Sequence, residues 1–183
     1  MTILILHGVE GHAGIHWQQW LHDQLITKGH KAIMPNLPNS NHPDRTTWLK
    51  TVKKLLRNKN LNNLVIVGHS LAIPTALDFL ELTQKPINAL ISIAGFCRNY
   101  GDDLNSYFLK EKQINFKKVK SNLKHAFVIY SNNDPYVPQK ELKFVANQLS
   151  VKPHIIPKAG HLNTDAGYTK FPFLLTTIEK LSK

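Results

Sequence analysis

Three side chains of the sequence together offer a nucleophile, a base and an orienting acid: Ser70, His161 and Asp134. A serine hydroxyl is a weak nucleophile at neutral pH unless an adjacent base accepts its proton, and a histidine can do this. A carboxylate beside that histidine fixes its tautomer and stabilises the imidazolium that forms. These residue types therefore predict acyl transfer through a serine, provided that the fold brings the three together.

The residues around Ser70 are typical of a nucleophile presented at a sharp turn. The stretch "LVIVGHSLAIPTALDF" is an apolar run, a Gly-His-Ser turn and an amphipathic segment, which we interpret as a strand, a nucleophile elbow and a helix. Of the pattern G-x-S-x-G, Gly68 and Ser70 are present, whereas Ala72 replaces the second glycine. Alanine adds one methyl group and removes no catalytic atom, so the motif is weakened and not destroyed.

Two backbone N–H groups are predicted to bind the oxyanion that develops during such a reaction. Leu71 begins the helix after the nucleophile, where N–H groups are free to bind an anion. Val9 lies in "HGVEGHAG", the loop after the first predicted strand, and the glycines of this loop allow its backbone to approach a ligand closely.

Each member of the candidate triad also has an ordinary structural explanation. Ser70 could simply cap a helix, Asp134 precedes Pro135 as a turn residue often does, and His161 could be a surface histidine. Their chain order, Ser then Asp then His, and their positions just after predicted strands favour the triad. Asp102 and Asp103, which follow the fourth predicted strand, are alternative acids.

Other residues near these turns are candidate substrate-binding residues. We interpret His69, beside the nucleophile, as a packing or hydrogen-bonding neighbour and not as a second base. Trp17 could equally be a core aromatic of the first helix, and Phe96 and Tyr107 could equally be core residues. The full set is His7, Gly8, Trp17, His69, Phe96 and Tyr107.

No metal site or disulfide is predicted. His7, His12 and His16 lack a carboxylate or thiolate at a spacing that would complete a metal site. Cys97 is the only cysteine, which excludes an intrachain disulfide, argues against a disulfide-linked partner and is consistent with a reducing compartment. We expect Cys97 to be buried and the protein to be cytoplasmic.

Short apolar runs alternate with helical patterns along the sequence, which predicts an α/β fold with a mostly parallel sheet and helices on both faces. We expect one domain over residues 1–183. The predicted strands are 3–6, 32–35, 64–67, 89–93, 126–130 and 154–156, and the predicted helices are near 16–28, 44–58, 71–83, 138–149 and 171–182. In such folds functional residues gather at the carboxyl ends of strands, and the candidate residues do follow strands.

The composition is that of an ordinary globular chain with an excess of lysine. The net charge is +11, and 42% of the residues are hydrophobic. No apolar run approaches the roughly 20 residues of a membrane span, and "MTILILHG" is typical of a first strand and not of a signal peptide. The basic stretch "LKEKQINFKKVKSNLK" is interpreted as solvated surface, because a nucleic-acid surface would carry more Arg and interleaved aromatics.

Five segments spread over the chain resemble the small serine hydrolases of the YdeN and retinoblastoma-binding protein nine family, in the α/β-hydrolase superfamily. They are "LILHGVEGHAGIHW", "VIVGHSLAIPTALDFLE", "AGFCRNYGDDLNSYF", "IYSNNDPYVP" and "KAGHLN". The resemblance implies a six-stranded α/β-hydrolase without a large lid, a Ser70–Asp134–His161 triad and no cofactor. It also implies that small carboxylic esters or amides are hydrolysed through an acyl-enzyme, with thioesters a further possibility.

Two functions thus remain open. The first is a serine hydrolase of the carboxylesterase type, with peptidase or thioesterase activity as narrower variants, whose pocket wall includes residues 95–125. The second is a catalytically silent protein on a hydrolase scaffold that binds a polyanion through its basic surface.

Overall fold

The centre of the computed structural model, which describes residues 1–182, is a six-stranded sheet in which all neighbouring strands are parallel. The strand order is β2-β1-β3-β4-β5-β6. All residues of β1 and β3 are buried, as expected for parallel strands covered on both faces. The strands are β1 (Thr2–Leu6), β2 (Lys31–Ile33), β3 (Leu64–His69), β4 (Ile87–Ile93), β5 (Leu123–Ser131) and β6 (His154–Ile156).

Within residues 1–182, seven α-helices cover the two faces of this sheet. They are α1 (Gln18–Thr27), α2 (Arg45–Leu56), α3 (Ala72–Leu82), α4 (Asp103–Lys110), α5 (Phe116–Ser121), α6 (Gln139–Leu149) and α7 (Pro172–Glu179). Short 3₁₀ turns occupy Leu61–Asn63, Thr164–Ala166 and Lys180–Ser182. Helices α1 and α7 contribute to one hydrophobic core, and the other helices contribute to a second core on the opposite face. The predicted fold class is confirmed.

Helices α4 and α5, which were not predicted as helices, lie in the segment between β4 and β5. Both begin at side-chain caps: Asp102 accepts a hydrogen bond from the Leu104 N–H at 2.8 Å, and Asn115 accepts one from the Lys118 N–H at 3.2 Å. These caps satisfy N–H groups that a short helix would otherwise leave unpaired.

A buried ion pair connects this segment to the core. The Arg45 guanidinium donates to both carboxylate oxygens of Asp78 at 2.7 and 3.0 Å, and both side chains are almost completely buried. Arg45 also donates to the carbonyl oxygens of Phe108 at 3.2 Å and Lys112 at 2.9 Å. One side chain of α2 therefore joins α3 to the end of α4.

None of the helices within residues 1–182 has the length and apolar character needed to cross a bilayer.

Candidate active site

Ser70 occupies the turn between β3 and α3 with a strained backbone. Its φ is 56°, in the left-handed region that residues other than glycine rarely adopt. Its N–H donates to the carbonyl oxygen of Ile93 at 2.9 Å, which holds the turn over the end of β4. The N-cap of α3 is Leu71, and no side chain caps this helix. The structure therefore gives Ser70 no capping role that would account for it.

Close contacts around this turn explain why glycine is required at two positions and why alanine fits at a third. A Cβ atom added at Gly8 would lie 3.0 Å from the Ser70 Cβ, and one added at Gly68 would lie 2.8 Å from Cδ1 of Ile73. The Cβ of Ala72 lies 3.6 Å from that same added atom at Gly68, which is an ordinary contact distance. The methyl group of Ala72 is thus accommodated without crowding at Gly68, whose close neighbour is Ile73.

His161 and Asp134 form a hydrogen-bonded pair. The His161 Nδ1–H donates to Asp134 Oδ2 at 2.7 Å, and the carboxylate is fully buried. The other oxygen, Oδ1, accepts from the N–H groups of Tyr136 at 2.9 Å and Val137 at 3.0 Å. Because an ionised carboxylate only accepts, the proton lies on Nδ1, which leaves Nε2 of His161 free to act as a base.

Three successive side chains at the end of β5 and just after it hold the loop that carries His161. The Asn132 amide oxygen accepts a hydrogen bond from the Lys158 N–H at 2.8 Å, the Ser131 hydroxyl accepts one from the Ala159 N–H at 2.8 Å, and the Asn133 amide oxygen accepts one from the Gly160 N–H at 3.0 Å. We call this set of contacts the loop clamp. It fixes the segment before His161 to the segment before Asp134. These contacts were not predicted, although the stretch "SNND", which ends in the candidate acid, was the available signal.

Ser70 and His161 line one cavity of about 330 Å³. Within residues 1–182 no hydrogen bond connects the Ser70 hydroxyl to the His161 imidazole. Hydrogen bonds of this kind are often long in a free enzyme and close only when substrate binds.

His69 makes a hydrogen bond to the loop that carries His161. Its Nε2–H donates to the carbonyl oxygen of His161 at 2.9 Å, and the two rings lie 4.8 Å apart. Burial, and then the neighbouring His161, hold the pKa of His69 well below its usual value, so its ring is neutral. Trp17, which is fully buried, packs edge-on against His69 and donates its indole N–H to the carbonyl oxygen of Leu162 at 2.9 Å.

The backbone near Ser70 offers two unpaired N–H groups. The N–H of Glu10 donates to the carbonyl oxygen of Ser40 at 2.7 Å, and the N–H of Gly11 donates to the carbonyl oxygen of Gly8 at 3.3 Å. Among the hydrogen bonds of the described residues, the N–H groups of Val9 and Leu71 have no acceptor. Val9 lines the cavity and Leu71 directly follows Ser70 in the chain, so both N–H groups remain candidates for an oxyanion hole.

Of the other predicted site residues, Gly8, His69 and Phe96 line the cavity, whereas His7, Trp17 and Tyr107 do not. His7 is fully buried: its Nε2 accepts from the Leu37 N–H at 2.8 Å, and its Nδ1–H donates to the carbonyl oxygen of Gly8 at 2.8 Å. Tyr107 stacks on His42 with ring centroids 4.2 Å apart. His7, Trp17 and Tyr107 therefore make tertiary contacts outside the cavity lining.

The alternative acids are engaged elsewhere. Asp102 lines the cavity but caps α4, and Asp103 is exposed. Among the ion pairs of the described residues, His161 pairs with Asp134 and with no other acid. Cys97 is 6% exposed, and burial raises the pKa of its thiol to about 12, so it is not a reactive thiolate.

Part of the wall comes from the segment between β4 and β5, as expected, but most of its polar residues were not predicted as substrate-binding residues. Asp102 was predicted only as an alternative acid, and the others are Glu10, His16, Tyr100, Asn105, Tyr136, Asn163 and Asp165. In residues 1–182 no group of three or more His, Cys, Asp and Glu side chains is arranged to hold a metal ion.

The sequence matches a family model and known proteins over most of its length. The family model described as "Serine hydrolase" matches residues 3–180. YdeN of Bacillus subtilis (strain 168) is 29% identical over 174 residues, which cover 94% of this chain and 91% of YdeN. "Serine hydrolase RBBP9" of Rattus norvegicus is 25% identical over 169 residues, 90% of this chain and 86% of that protein.

Solved structures share the same architecture. The crystal structure of the ydeN gene product from B. subtilis superposes with a TM-score of 0.92 at 28% identity and covers 100% of this chain and 99% of that one. Est1E from Butyrivibrio proteoclasticus superposes with a TM-score of 0.75 at 14% identity, covering 99% of this chain and 86% of that one. This second likeness shows the fold alone.

Proposed function

This chain belongs to the serine hydrolase family, as its sequence segments predicted, and on that premise we propose that it hydrolyses small carboxylic esters through an acyl-enzyme on Ser70. Thioesters and amides are related substrates of the same chemistry. The chemistry needs no cofactor, because the nucleophile, the base and the oxyanion donors all come from the chain.

In the proposed reaction, His161 Nε2 accepts the Ser70 proton while Oγ attacks the substrate carbonyl carbon. The N–H groups of Val9 and Leu71 stabilise the oxyanion, and Asp134 stabilises the imidazolium. Collapse of the tetrahedral intermediate breaks the bond to the leaving alcohol, which takes the proton from His161. Water then attacks the acyl-enzyme by the same route, so that the carboxylic acid leaves and Ser70 regains its proton.

One arrangement carries this proposal. A serine with a φ of 56° faces the same cavity as a histidine whose Nδ1–H is fixed on a fully buried carboxylate. Backbone strain of this kind persists where the surrounding structure imposes it, and it is concentrated at functional sites.

We expect a fluorophosphonate probe to label the protein once, at Ser70, because only an activated serine reacts with it. Peptide mass mapping identifies the labelled residue. Ser70→Ala should abolish labelling without loss of the fold, whereas Ser40→Ala, in a loop that contacts the Glu10 backbone, should label normally. Labelling that survives Ser70→Ala would refute the assignment, and so would an unlabelled wild-type protein that is folded.

A panel of acetate esters, thioesters and amides assigns the bond class once labelling is established. The carboxylesterase proposal requires a higher kcat/KM for esters than for amides. The competing function, a silent scaffold that binds polyanions through its basic surface, requires no labelling and a binding constant that falls steeply with salt.

We also propose that residues 1–183 form one domain and that the protein is cytoplasmic. The second proposal rests on the single, buried cysteine.

A further inference from the structure

The charge of the catalytic cavity is opposite to that of the molecule. The chain has 23 Lys and Arg residues against 12 Asp and Glu residues. The carboxylates that line the cavity are those of Glu10, Asp102 and Asp165, and among the described residues no Lys or Arg lines it. A cavity lined by charges of one sign concentrates ligands of the other sign.

Asn105 adds an independent feature, a buried acceptor without a donor. The residue is 5% exposed and lines the cavity. Its Oδ1 has no hydrogen-bond partner within the described residues. Buried polar atoms are nearly always paired, and leaving one unpaired destabilises the fold. The oxygen itself is covered, so the amide would have to turn toward the cavity for this oxygen to accept from an N–H group of a ligand.

Asp102 lies beside Asn105 at the start of α4. The Asn105 N–H donates to the Asp102 carbonyl oxygen at 3.2 Å. The Tyr100 hydroxyl donates to Asp102 Oδ2 at 3.3 Å. Burial raises the pKa of Tyr100, and the neighbouring Asp102 carboxylate raises it further.

The other groups around the cavity are suited to a cation. The rings of Phe96, Tyr100 and Tyr136 line it, and aromatic faces attract cations. His16 and His69 also line it, and burial lowers the pKa of both, so at neutral pH they add no competing positive charge.

We propose that the cavity selects substrates that carry a protonated amine, that Asp102 supplies the opposite charge and that Asn105 accepts a hydrogen bond from the ammonium N–H. This inference rests on the proposed function, since the amine is part of the molecule whose ester bond is cleaved. The ammonium group itself is unchanged: the ester and one water give the acid and the alcohol. The selected class is therefore small amino esters, with the amine on either the acyl or the alcohol side.

This selection is tested with two pairs of esters. Within each pair, one ester carries a protonated nitrogen where the other carries a CH group. The alcohol-side pair is 2-(dimethylamino)ethyl acetate and 3-methylbutyl acetate, and the acyl-side pair is ethyl 4-(dimethylamino)butanoate and ethyl 5-methylhexanoate. Each kcat/KM at pH 7 is divided by the rate constant for alkaline hydrolysis of the same ester, which removes intrinsic reactivity. We expect at least one pair to favour the amine by about fivefold or more. Equal values in both pairs, or a preference for the neutral esters, would overturn the inference.

Three variants assign the preference to its residues. Asp102→Asn keeps a good helix cap and removes the charge, Asn105→Leu removes the acceptor, and Asp103→Asn removes an exposed neighbouring charge that does not line the cavity. The amine preference should fall about fivefold in the first two variants and stay constant in the third. Because the preference is a ratio within one preparation, a loss of folded protein does not alter it. An unchanged ratio in both cavity variants, or an equal fall in Asp103→Asn, contradicts the assignment.

A binding measurement separates failure of the inference from failure of the proposed function. If no ester is hydrolysed and no probe reacts, the proposed function is wrong. Calorimetric titration of Ser70→Ala with 2-(dimethylamino)ethyl acetate and with 3-methylbutyl acetate still compares their affinities without turnover, as does titration with the acyl-side pair. Tighter binding of an amine supports the charge preference, and equal binding in both pairs overturns it.

Discussion

His69 links the end of β3 to the loop of His161 through a single neutral ring. Its pKa lies well below its ordinary value because the ring is buried and because His161 lies nearby. In the unfolded chain this histidine takes up a proton near pH 6.5, whereas in the folded protein it does not. The stabilising contribution of the neutral ring is therefore complete above about pH 6.5 and is lost as the pH falls below that value.

We predict that the free energy of unfolding decreases as the pH is lowered from 6.5 to 5, with a contribution from His69 of up to about 1.4 kcal/mol per pH unit. Urea denaturation at a series of pH values measures this slope. His69→Gln can still donate to the His161 carbonyl but does not titrate, so its slope should be smaller than that of the wild type. His125→Gln, at an exposed position, should leave the slope unchanged. Identical slopes in His69→Gln and the wild type would show that His69 is not the titrating group.

At the scale of elements, the site depends on two loops that are distant in sequence but joined by the loop clamp. Asn133 is its central member, because its amide oxygen accepts from both the Ser131 hydroxyl at 2.6 Å and the Gly160 N–H at 3.0 Å. Asn133 precedes Asp134 directly, and Gly160 precedes His161 directly. The clamp therefore sets how the acid and the base approach each other.

We expect Asn133→Ala to lower kcat by about tenfold with little change in KM, because it misplaces the acid–base pair and touches no substrate. Asn133→Asp retains an acceptor and should restore part of the rate. Asn147→Ala, at an exposed position on α6, is the matched control and should behave as the wild type. A change in KM alone would assign Asn133 to substrate binding instead of positioning.

The elements that the sequence predicts well are those whose local pattern agrees with the tertiary fold. Strands β1 and β3 are continuous apolar runs that are buried on both faces, so their pattern and their environment coincide. Strand β5 begins at Leu123, three residues before the prediction, because Lys124 and His125 interrupt the apolar pattern with exposed polar side chains although this part of the strand still pairs with β4. Its early register depends on the neighbouring strand and not on its own composition.

The candidate triad was predictable because its members follow three predicted strands, whereas most of the cavity wall was not. Helices α4 and α5 are short, and they begin at side-chain caps whose effect depends on geometry. Tyr107 lies on α4 but stacks on His42, a residue far away in sequence. Its absence from the cavity lining therefore depends on a tertiary contact that the local sequence does not reveal. The left-handed φ of Ser70 likewise follows from contacts of β4 and the Gly8 loop with the turn.

At the scale of the whole molecule, the buried Arg45–Asp78 pair joins three helices, and its hydrogen bonds satisfy a charge that could not otherwise be buried. We predict that Asp78→Ala lowers the free energy of unfolding by about 3–5 kcal/mol, because it leaves the Arg45 guanidinium buried without its carboxylate. Urea denaturation measures this loss. Lys28→Ala, which breaks the exposed Lys28–Glu179 pair, should cost less than about 1 kcal/mol. Similar losses in the two variants would mean that the buried pair contributes no more than an exposed one.

The anchoring of α4 by Arg45 has a consequence for how this kind of protein diversifies. The segment is fastened to the core near its far end, through the carbonyl oxygens of Phe108 and Lys112, while Asp102 and Asn105 face the cavity at its near end. Ser70, Asp134 and His161 lie on other stretches of the chain. Under our proposals, the residues that select the substrate and the residues that cleave the bond therefore lie on separate segments of the chain. Natural or designed substitutions at the start of α4 can therefore change the substrate while the Arg45 contacts and the catalytic residues are kept.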